Sequence, residues 1–179
     1  MTPAQSGTDG QLYLKLVTDD AHDRELLVNL YTEAFPPEEW QPKMMDEIKN
    51  AAPDVWKTDE YLIQDGDTTV GLICVVHSEH YAYLLYLAIS PRCQGGGYGS
   101  RVMTLFKNMY PHHIRFFDLE APDASAPNAE QRIRRIKFYE RNGYHMANYE
   151  IVENGVRLAF MTDSDTFEIT EELQLLADS

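Results

Sequence analysis

The residues best suited to do chemistry lie in a glycine-dense stretch that runs from Gln94 to Ser100. Gly95, Gly96, Gly97 and Gly99 leave this backbone nearly bare of side chains, and a helix-compatible segment over residues 100–109 follows. The first N–H groups of a helix lack backbone partners, and the helix dipole is positive at that end. We therefore predict that this turn binds an anionic group such as a phosphate.

Two widespread phosphate-binding patterns do not fit this turn. A P-loop closes with Lys followed by Ser or Thr, whereas this turn closes with Tyr98-Gly99-Ser100. A dinucleotide-binding turn needs G-x-G-x-x-G, and counting from Gly95 places Ser100 at the third glycine. What remains is Gln94-x-x-Gly97-x-Gly99 after an apolar strand. A connector without a ligand is the plainer alternative, but ordering so many glycines costs conformational entropy.

Carboxylates near apolar residues are candidates for proton transfer and for binding a cation. Glu120 ends a predicted strand beside apolar residues, where burial raises a carboxyl pKa and favours a general base. Glu38 and Glu39 lie in a Pro-rich segment with Phe35 and Trp40, a combination suited to an acidic, aromatic-walled amine site. For all three glutamates, a solvated surface position is the alternative interpretation.

The elements that must position these residues alternate between strand and helix patterns. Together they predict one α/β domain with a mixed sheet over residues 11–162, preceded by a flexible lead-in (1–10) and followed by a tail with a short helix (163–179). The predicted strands cover residues 12–17, 61–63, 70–76, 81–89, 114–120, 144–152 and 156–161. The predicted helices cover residues 20–34, 44–50 and 100–109, and a fourth begins at Asn128 with a capping box to Gln131 and ends near Asn142.

Composition restricts the classes of function. The chain has 179 residues and a net charge of −14, which argues against nucleic acid as a partner. No apolar run is long enough for a membrane helix, and the N-terminus lacks the features of a signal peptide. Cys74 and Cys93 form neither a disulfide framework nor a metal quartet, so we expect a cytoplasmic protein without a metal. Residues 61–144 carry a net charge of +1 between acidic flanks, as would suit a centrally held anionic cofactor.

Two motifs resemble those of the GNAT N-acetyltransferase superfamily. Gln94-x-x-Gly97-x-Gly99 is similar to its acyl-coenzyme-A loop, and Tyr139-x-x-x-Gly143-Tyr144 is similar to the end of its last helix, with Tyr144 for the usual Phe. The order of predicted elements over about residues 10–162 matches as well. The resemblance implies a mixed, largely antiparallel sheet of about six or seven strands, flanked by about four helices and splayed between the fourth and fifth strands.

The resemblance also implies roles for residues. Backbone amides of the strand before the turn would bind the pantetheine arm, and those of the turn would bind the pyrophosphate. Tyr139 would be the general acid near the coenzyme sulfur; a packed core aromatic is its alternative. Arg92 and Arg132 are candidates for phosphate contact, since Gln94 stands where many relatives have Arg, and Arg132 where many have Asn. The coenzyme-binding residues implied are Leu87, Ala88, Ile89, Arg92, Gln94, Gly95, Gly96, Gly97, Tyr98, Gly99, Ser100 and Arg132.

The function implied is acetyl transfer from acetyl-CoA to a primary amine, by direct attack in a ternary complex. Acidic flanks favour a cationic acceptor, and neither cysteine suits an acyl-carrying nucleophile. Glu120, Glu38 and Glu39 stay open as the base, while Phe35, Glu38, Glu39 and Trp40 are the candidate acceptor site. A non-catalytic acyl-CoA sensor or interaction module of the same fold is the alternative, and we expect a monomer or homodimer.

Overall fold

The computed structural model describes residues 12–40 and 42–177, so the predicted lead-in over residues 1–10 lies outside it. The described chain forms seven strands and five α-helices, with one 3₁₀ turn at Pro91–Cys93. In chain order they are β1 (Leu12–Leu16), α1 (Ala21–Ala34), α2 (Pro42–Asn50), β2 (Lys57–Asp65), β3 (Thr68–His77), β4 (Tyr81–Ile89), α3 (Tyr98–Met109), β5 (Ile114–Glu120), α4 (Ala129–Arg141), β6 (His145–Glu153), β7 (Val156–Thr162) and α5 (Glu171–Ala177).

All seven strands join one sheet in the order β1-β2-β3-β4-β5-β7-β6. Every neighbouring pair is antiparallel except β4 and β5, which are parallel and are connected through α3. A parallel pair needs such a crossover, because its second strand must start again at the same end of the sheet. The predicted mixed, largely antiparallel sheet is confirmed.

Helices cover both faces of the sheet. On one side, which we call the α3/α4 face, Phe106 of α3 and Ile136 of α4 pack with Phe117 of β5. On the other, the α1/α2 face, Tyr31 of α1 and Met45 of α2 pack with inward residues of β2 and β3. The segment that contains α5 extends this second layer, where Leu173 and Phe167 join the cluster of Phe116.

The pairing of β4 with β5 is short, and this opens the middle of the sheet. Only Tyr81–Tyr83 pair with Ile114–Phe116. Beyond that point β4 continues to Ile89, whereas β5 pairs with β7 on its other side. We call the gap between residues 84–89 and residues 117–120 the slot. The predicted splay between the fourth and fifth strands is thereby confirmed.

A β-bulge in β4 sets which side chains reach each face beside the slot. Val75 pairs with Leu84 and Cys74 pairs with Tyr86, so Leu85 is the additional residue. Leu84 and Leu87 consequently pack on the α3/α4 face, whereas Tyr86 packs on the α1/α2 face. Without the bulge, strict alternation would place the side chains of Leu85 and Tyr86 on opposite faces of the sheet.

Most predicted elements are present with small changes in their bounds. β4 and β5 have the predicted bounds, and α3 begins two residues earlier than predicted, at Tyr98. The prediction of a capping box at Asn128 is wrong, because Asn128 is the N-cap residue of α4 but its side chain makes no cap hydrogen bond to that helix. That side chain instead donates to Glu120 and accepts from Arg132.

Candidate active site

The glycine turn ends in an uncapped helix. Gly95 (φ 87°) and Gly97 (φ 73°) adopt left-handed conformations that suit glycine. Gly97 is the N-cap of α3, and it makes no side-chain cap hydrogen bond to the first amides of that helix. These N–H groups and the positive end of the helix dipole form a possible anion site, and anion binding by the turn stays a prediction.

Side chains brace the turn from both ends. The Gln94 amide donates to the Ile89 carbonyl at 3.3 Å, which ties the turn to the end of β4. The Tyr98 hydroxyl donates to Asp65 Oδ2 at 2.5 Å, which ties α3 to the β2–β3 hairpin. Ser100 accepts a 3.3 Å hydrogen bond from the Asn142 amide at the end of α4. The backbone that would receive a phosphate is thus held by three separate elements.

Tyr139 lies on the α3/α4 face, close to the slot. Its ring centroid is 4.2 Å from that of Phe117 and 5.0 Å from that of Phe138. Burial raises the pKa of Tyr139 to about 12. The phenol therefore keeps its proton at neutral pH, as a hydrogen-bond donor to a leaving sulfur requires.

The two candidate arginines lie in different surroundings. Arg92 is exposed and is 3.9 Å from the Glu33 carboxylate, a long surface pair. Arg132 forms a 2.6 Å ion pair with Glu120 and donates to the Ala121 carbonyl and to Asn128 Oδ1. These contacts occupy the Arg132 guanidinium at the end of β5 and fix the Glu120 carboxylate there. Phosphate contact by either arginine stays a prediction, as does the role of Glu120 as base.

The predicted acceptor segment packs on the α1/α2 face beside the slot. Trp40 stacks on Tyr31 with ring centroids 4.9 Å apart, and Phe35 lies 5.0 Å from Tyr86. Tyr86 also donates a 2.9 Å hydrogen bond to the backbone carbonyl of Glu39. The aromatic wall therefore exists, while Glu38 and Glu39 are exposed residues at its edge.

Sequence reasoning missed a pair that lies in the slot itself. The Tyr83 hydroxyl donates a 2.8 Å hydrogen bond to Asp118 Oδ2, across the end of the β4–β5 pairing. Asp118 alternates with Phe117 and Leu119, which face α3 and α4, so its side chain lies on the α1/α2 face. The available signal was an aspartate between the apolar residues Phe117 and Leu119 of β5.

Glu153 adds a second carboxylate on the same side of the slot. It pairs with Val156 of β7, and the register places both on the α1/α2 face with Phe160. Burial raises the pKa of Tyr86, and the charges of Glu39, Asp118 and Glu153 raise it further. This side of the slot is therefore negative, and it suits a cation.

Neither a metal centre nor a membrane span is found in the described part of the chain. No group of three or more His, Cys, Asp or Glu residues in residues 12–40 and 42–177 could hold a metal ion. No helix among the same residues combines the length and the apolar character required to cross a bilayer.

More than half of the chain matches one protein family by sequence. The sequence model of the acetyltransferase (GNAT) family matches residues 24–144. No curated protein sequence matches the chain.

Solved structures with the same fold include proteins of several origins. A GNAT-family protein from Bacteroides thetaiotaomicron is 22% identical, with 86% of this chain and 88% of that chain covered and a TM-score of 0.69. Naa50 of Arabidopsis thaliana, in complex with the bisubstrate analogue CoA-Ac-MVNAL, is 20% identical (86% and 99% covered, TM-score 0.59). The spermidine/spermine N-acetyltransferase SpeG of Vibrio cholerae is 15% identical (87% and 95% covered, TM-score 0.59).

Proposed function

Because this chain belongs to the GNAT acetyltransferase family, we propose that it transfers an acetyl group from acetyl-CoA to a primary amine. The observation that carries the proposal is the slot, next to the uncapped start of α3. Pairing between β4 and β5 stops after Tyr83, which leaves the β5-side edge of residues 84–89 without a strand partner among the described residues. An extended pantetheine arm fits such an edge by the same hydrogen bonds that a strand would make.

The coenzyme would lie along the end of β4 and across the glycine turn. Leu87, Ala88 and Ile89 supply the strand edge, and the amides from Gln94 to Ser100 supply the anion site. Gly95 and Gly97, where an added Cβ would meet nothing within 4 Å, leave room for the pyrophosphate to approach the backbone. The thioester would then lie at the slot, within reach of Tyr139.

Tyr139 would act on the departing sulfur. A phenol of pKa about 12 surrenders its proton only at a cost to a thiolate of pKa about 8.5. Its main contribution is therefore a hydrogen bond that strengthens as negative charge develops on sulfur, in a setting already arranged for it. This refines the predicted general acid into a donor that stabilises the leaving group.

The acceptor would approach from the α1/α2 face, past the wall formed by Phe35, Trp40 and Tyr86. The carboxylates of Asp118 and Glu153 and the exposed Glu38 and Glu39 favour a cationic amine there. Two proteins of similar structure support this acceptor class. One is a spermidine/spermine N-acetyltransferase, and the other is in complex with a bisubstrate analogue that carries a peptide. A small cationic amine or an exposed amino group is the acceptor class we propose, and its nitrogen would attack the thioester directly in a ternary complex.

Two measurements test this proposal. Acetyl-CoA should raise the melting temperature of the protein, because a ligand that binds only the folded state stabilises it. Release of free thiol should then be detected with at least one member of a panel of amines, polyamines, aminoglycosides and peptides. Tight coenzyme binding without thiol release would favour the sensor, and no shift at all would favour an interaction module.

A further inference from the structure

Asp118 is the carboxylate of β5 that lies in the slot. It lies two residues beyond Phe116, the last residue of β5 that pairs with β4, and it is partly buried on the face from which the acceptor would approach. Glu120, two residues further along β5, is held in a 2.6 Å ion pair with Arg132. The Arg132 guanidinium therefore occupies the Glu120 carboxylate. The two acidic residues of β5 are therefore chemically different.

Tyr83 holds the Asp118 carboxylate in place. Its ring stacks on Phe116 with centroids 4.9 Å apart, and Tyr83 and Phe116 are also paired in the sheet. The hydroxyl reaches Oδ2 of Asp118 at 2.8 Å. Burial and the nearby Asp118 charge raise the pKa of Tyr83 well above its usual value, so it remains a donor. Tyr83 thus fixes one of the two carboxylate oxygens, Oδ2.

The charges around Asp118 suit a base. Burial raises the pKa of Asp118, and the negative charge of Glu153 raises it further, while the hydrogen bond from Tyr83 lowers it. Tyr86 also lies on this side, near Glu39 and Glu153, and burial keeps it protonated by raising its pKa. A carboxylate whose pKa moves towards neutral pH accepts a proton more readily from an ammonium group.

We propose that Asp118 is the general base for the acceptor amine and that Tyr83 is the residue that positions it. The inference rests on the proposed acetyl transfer. An N–H bond of the ammonium group breaks and its proton goes to Oδ1 of Asp118. The freed nitrogen lone pair forms a bond to the thioester carbon, and the electrons of the C–S bond leave with sulfur beside Tyr139. A second N–H bond of the acylated nitrogen then breaks, and its proton reaches the sulfur through solvent to give the free thiol and a neutral amide. Asp118 afterwards returns its proton to solvent.

The first test is Asp118→Asn, which keeps a hydrogen-bond acceptor for Tyr83 but cannot take up the proton. We expect kcat/KM for the amine to fall about 100-fold or more at neutral pH. The loss should shrink as the pH rises towards the amine pKa of about 10, where free amine needs no base. Asp165→Asn, at a fully exposed position, is the matched control and should retain activity. Asp118→Asn activity within about threefold of wild type would overturn the inference.

The second test uses the opposite effects of two neighbours on Asp118. Tyr83→Phe removes the hydrogen bond that lowers the pKa of Asp118, so the acidic limb of the plot of kcat/KM against pH should move to higher pH. Glu153→Gln removes the charge that raises it, so the limb should move to lower pH. A residue of merely structural importance would change the height of the profile without moving the limb. If both limbs coincide with the wild-type limb, Asp118 is not the base.

The outcomes also separate this inference from the proposed function. If wild-type protein releases no thiol with any amine, both are wrong. If wild type is active and Glu120→Gln is the variant that loses turnover while Asp118→Asn keeps it, the function stands and Glu120 is the base. Melting temperatures of all variants report whether each has folded.

Discussion

The Tyr98 hydroxyl, at the first residue of α3, donates a 2.5 Å hydrogen bond to Asp65 in the β2–β3 hairpin. This bond fixes the start of the helix whose amides would bind the coenzyme pyrophosphate. It also keeps the Asp65 carboxylate, which would repel a phosphate, engaged with a donor. The hairpin is therefore part of the support for the anion site.

Tyr98→Phe should weaken acetyl-CoA binding without changing the chemical step. Loss of one hydrogen bond of this kind predicts a KM for acetyl-CoA that is about threefold to tenfold higher, with kcat nearly unchanged. Steady-state kinetics with saturating amine measure both constants. A lower kcat at unchanged KM would contradict this, because it would mean that Tyr98 acts on the reaction and not on coenzyme binding.

Gly99→Ala should disturb both binding and turnover, because Gly99 packs against α4. A Cβ at this position would lie 2.9 Å from Cζ of Phe138. Phe138 must then move, and its ring contacts Tyr139 at a centroid distance of 5.0 Å. We expect a loss of about 1–3 kcal/mol in the free energy of unfolding together with a lower kcat, measured by denaturant melts and thiol release.

The double variant Gly99→Ala/Phe138→Leu tests the cause of that loss. A smaller side chain at residue 138 leaves room for the new methyl group. Gly99→Ala should therefore lower the free energy of unfolding less in the Phe138→Leu protein than in the wild type. If the two changes are simply additive, the contact between α3 and α4 is not the cause.

Tyr139→Phe should lower kcat about tenfold or more while the affinity for acetyl-CoA is largely kept. The ring contacts with Phe117 and Phe138 remain, and only the donor to sulfur is lost. Because burial raises the pKa of Tyr139 to about 12, its ionisation should cause no loss of activity below that range. Tyr13→Phe, on the far edge strand, is the control. Unchanged turnover would remove Tyr139 from the mechanism.

Asp118→Asn should not lower stability at neutral pH. The folded-state pKa of Asp118 is raised by burial and by Glu153, so its charged form is disfavoured in the fold. The wild type is thus penalised above that pKa, and the penalty disappears as the pH falls through it and the carboxyl group is protonated. The variant should melt at the same or a higher temperature than wild type at pH 7, with the difference closing in acid. A lower melting temperature at pH 7 alone would contradict this.

The sequence was informative where a local pattern determines the structure. Tyr81–Ile89 is a long apolar run that stops at Ser90-Pro91, so its strand bounds are confirmed. β2 extends further than predicted, because Lys57–Glu60 look polar in sequence yet pair with β3. The hydrogen bond by which the Gln94 side chain joins the turn to the end of β4 could not be predicted from a local sequence pattern.

The candidate site was less accessible from sequence, since it depends on contacts between distant residues. Tyr83 and Asp118 are 35 positions apart, and only the end of the β4–β5 pairing brings them to 2.8 Å. The ion pair of Glu120 with Arg132 likewise depends on how the loop after β5 turns back towards α4. The glycine turn, by contrast, carries its chemistry in consecutive residues.

The three residue pairs that join β4 to β5 have a mechanical consequence. The sheet consists of two leaves, β1–β4 and β5–β7–β6. These three pairs, between Tyr81–Tyr83 and Ile114–Phe116, form a short hinge that joins the leaves. Under the proposed function, the angle between the leaves would set the clearance for an acyl chain. Tolerance for acyl groups longer than acetyl would then follow from the rigidity of that hinge, and the stacked rings of Tyr83 and Phe116 become the position at which to alter it.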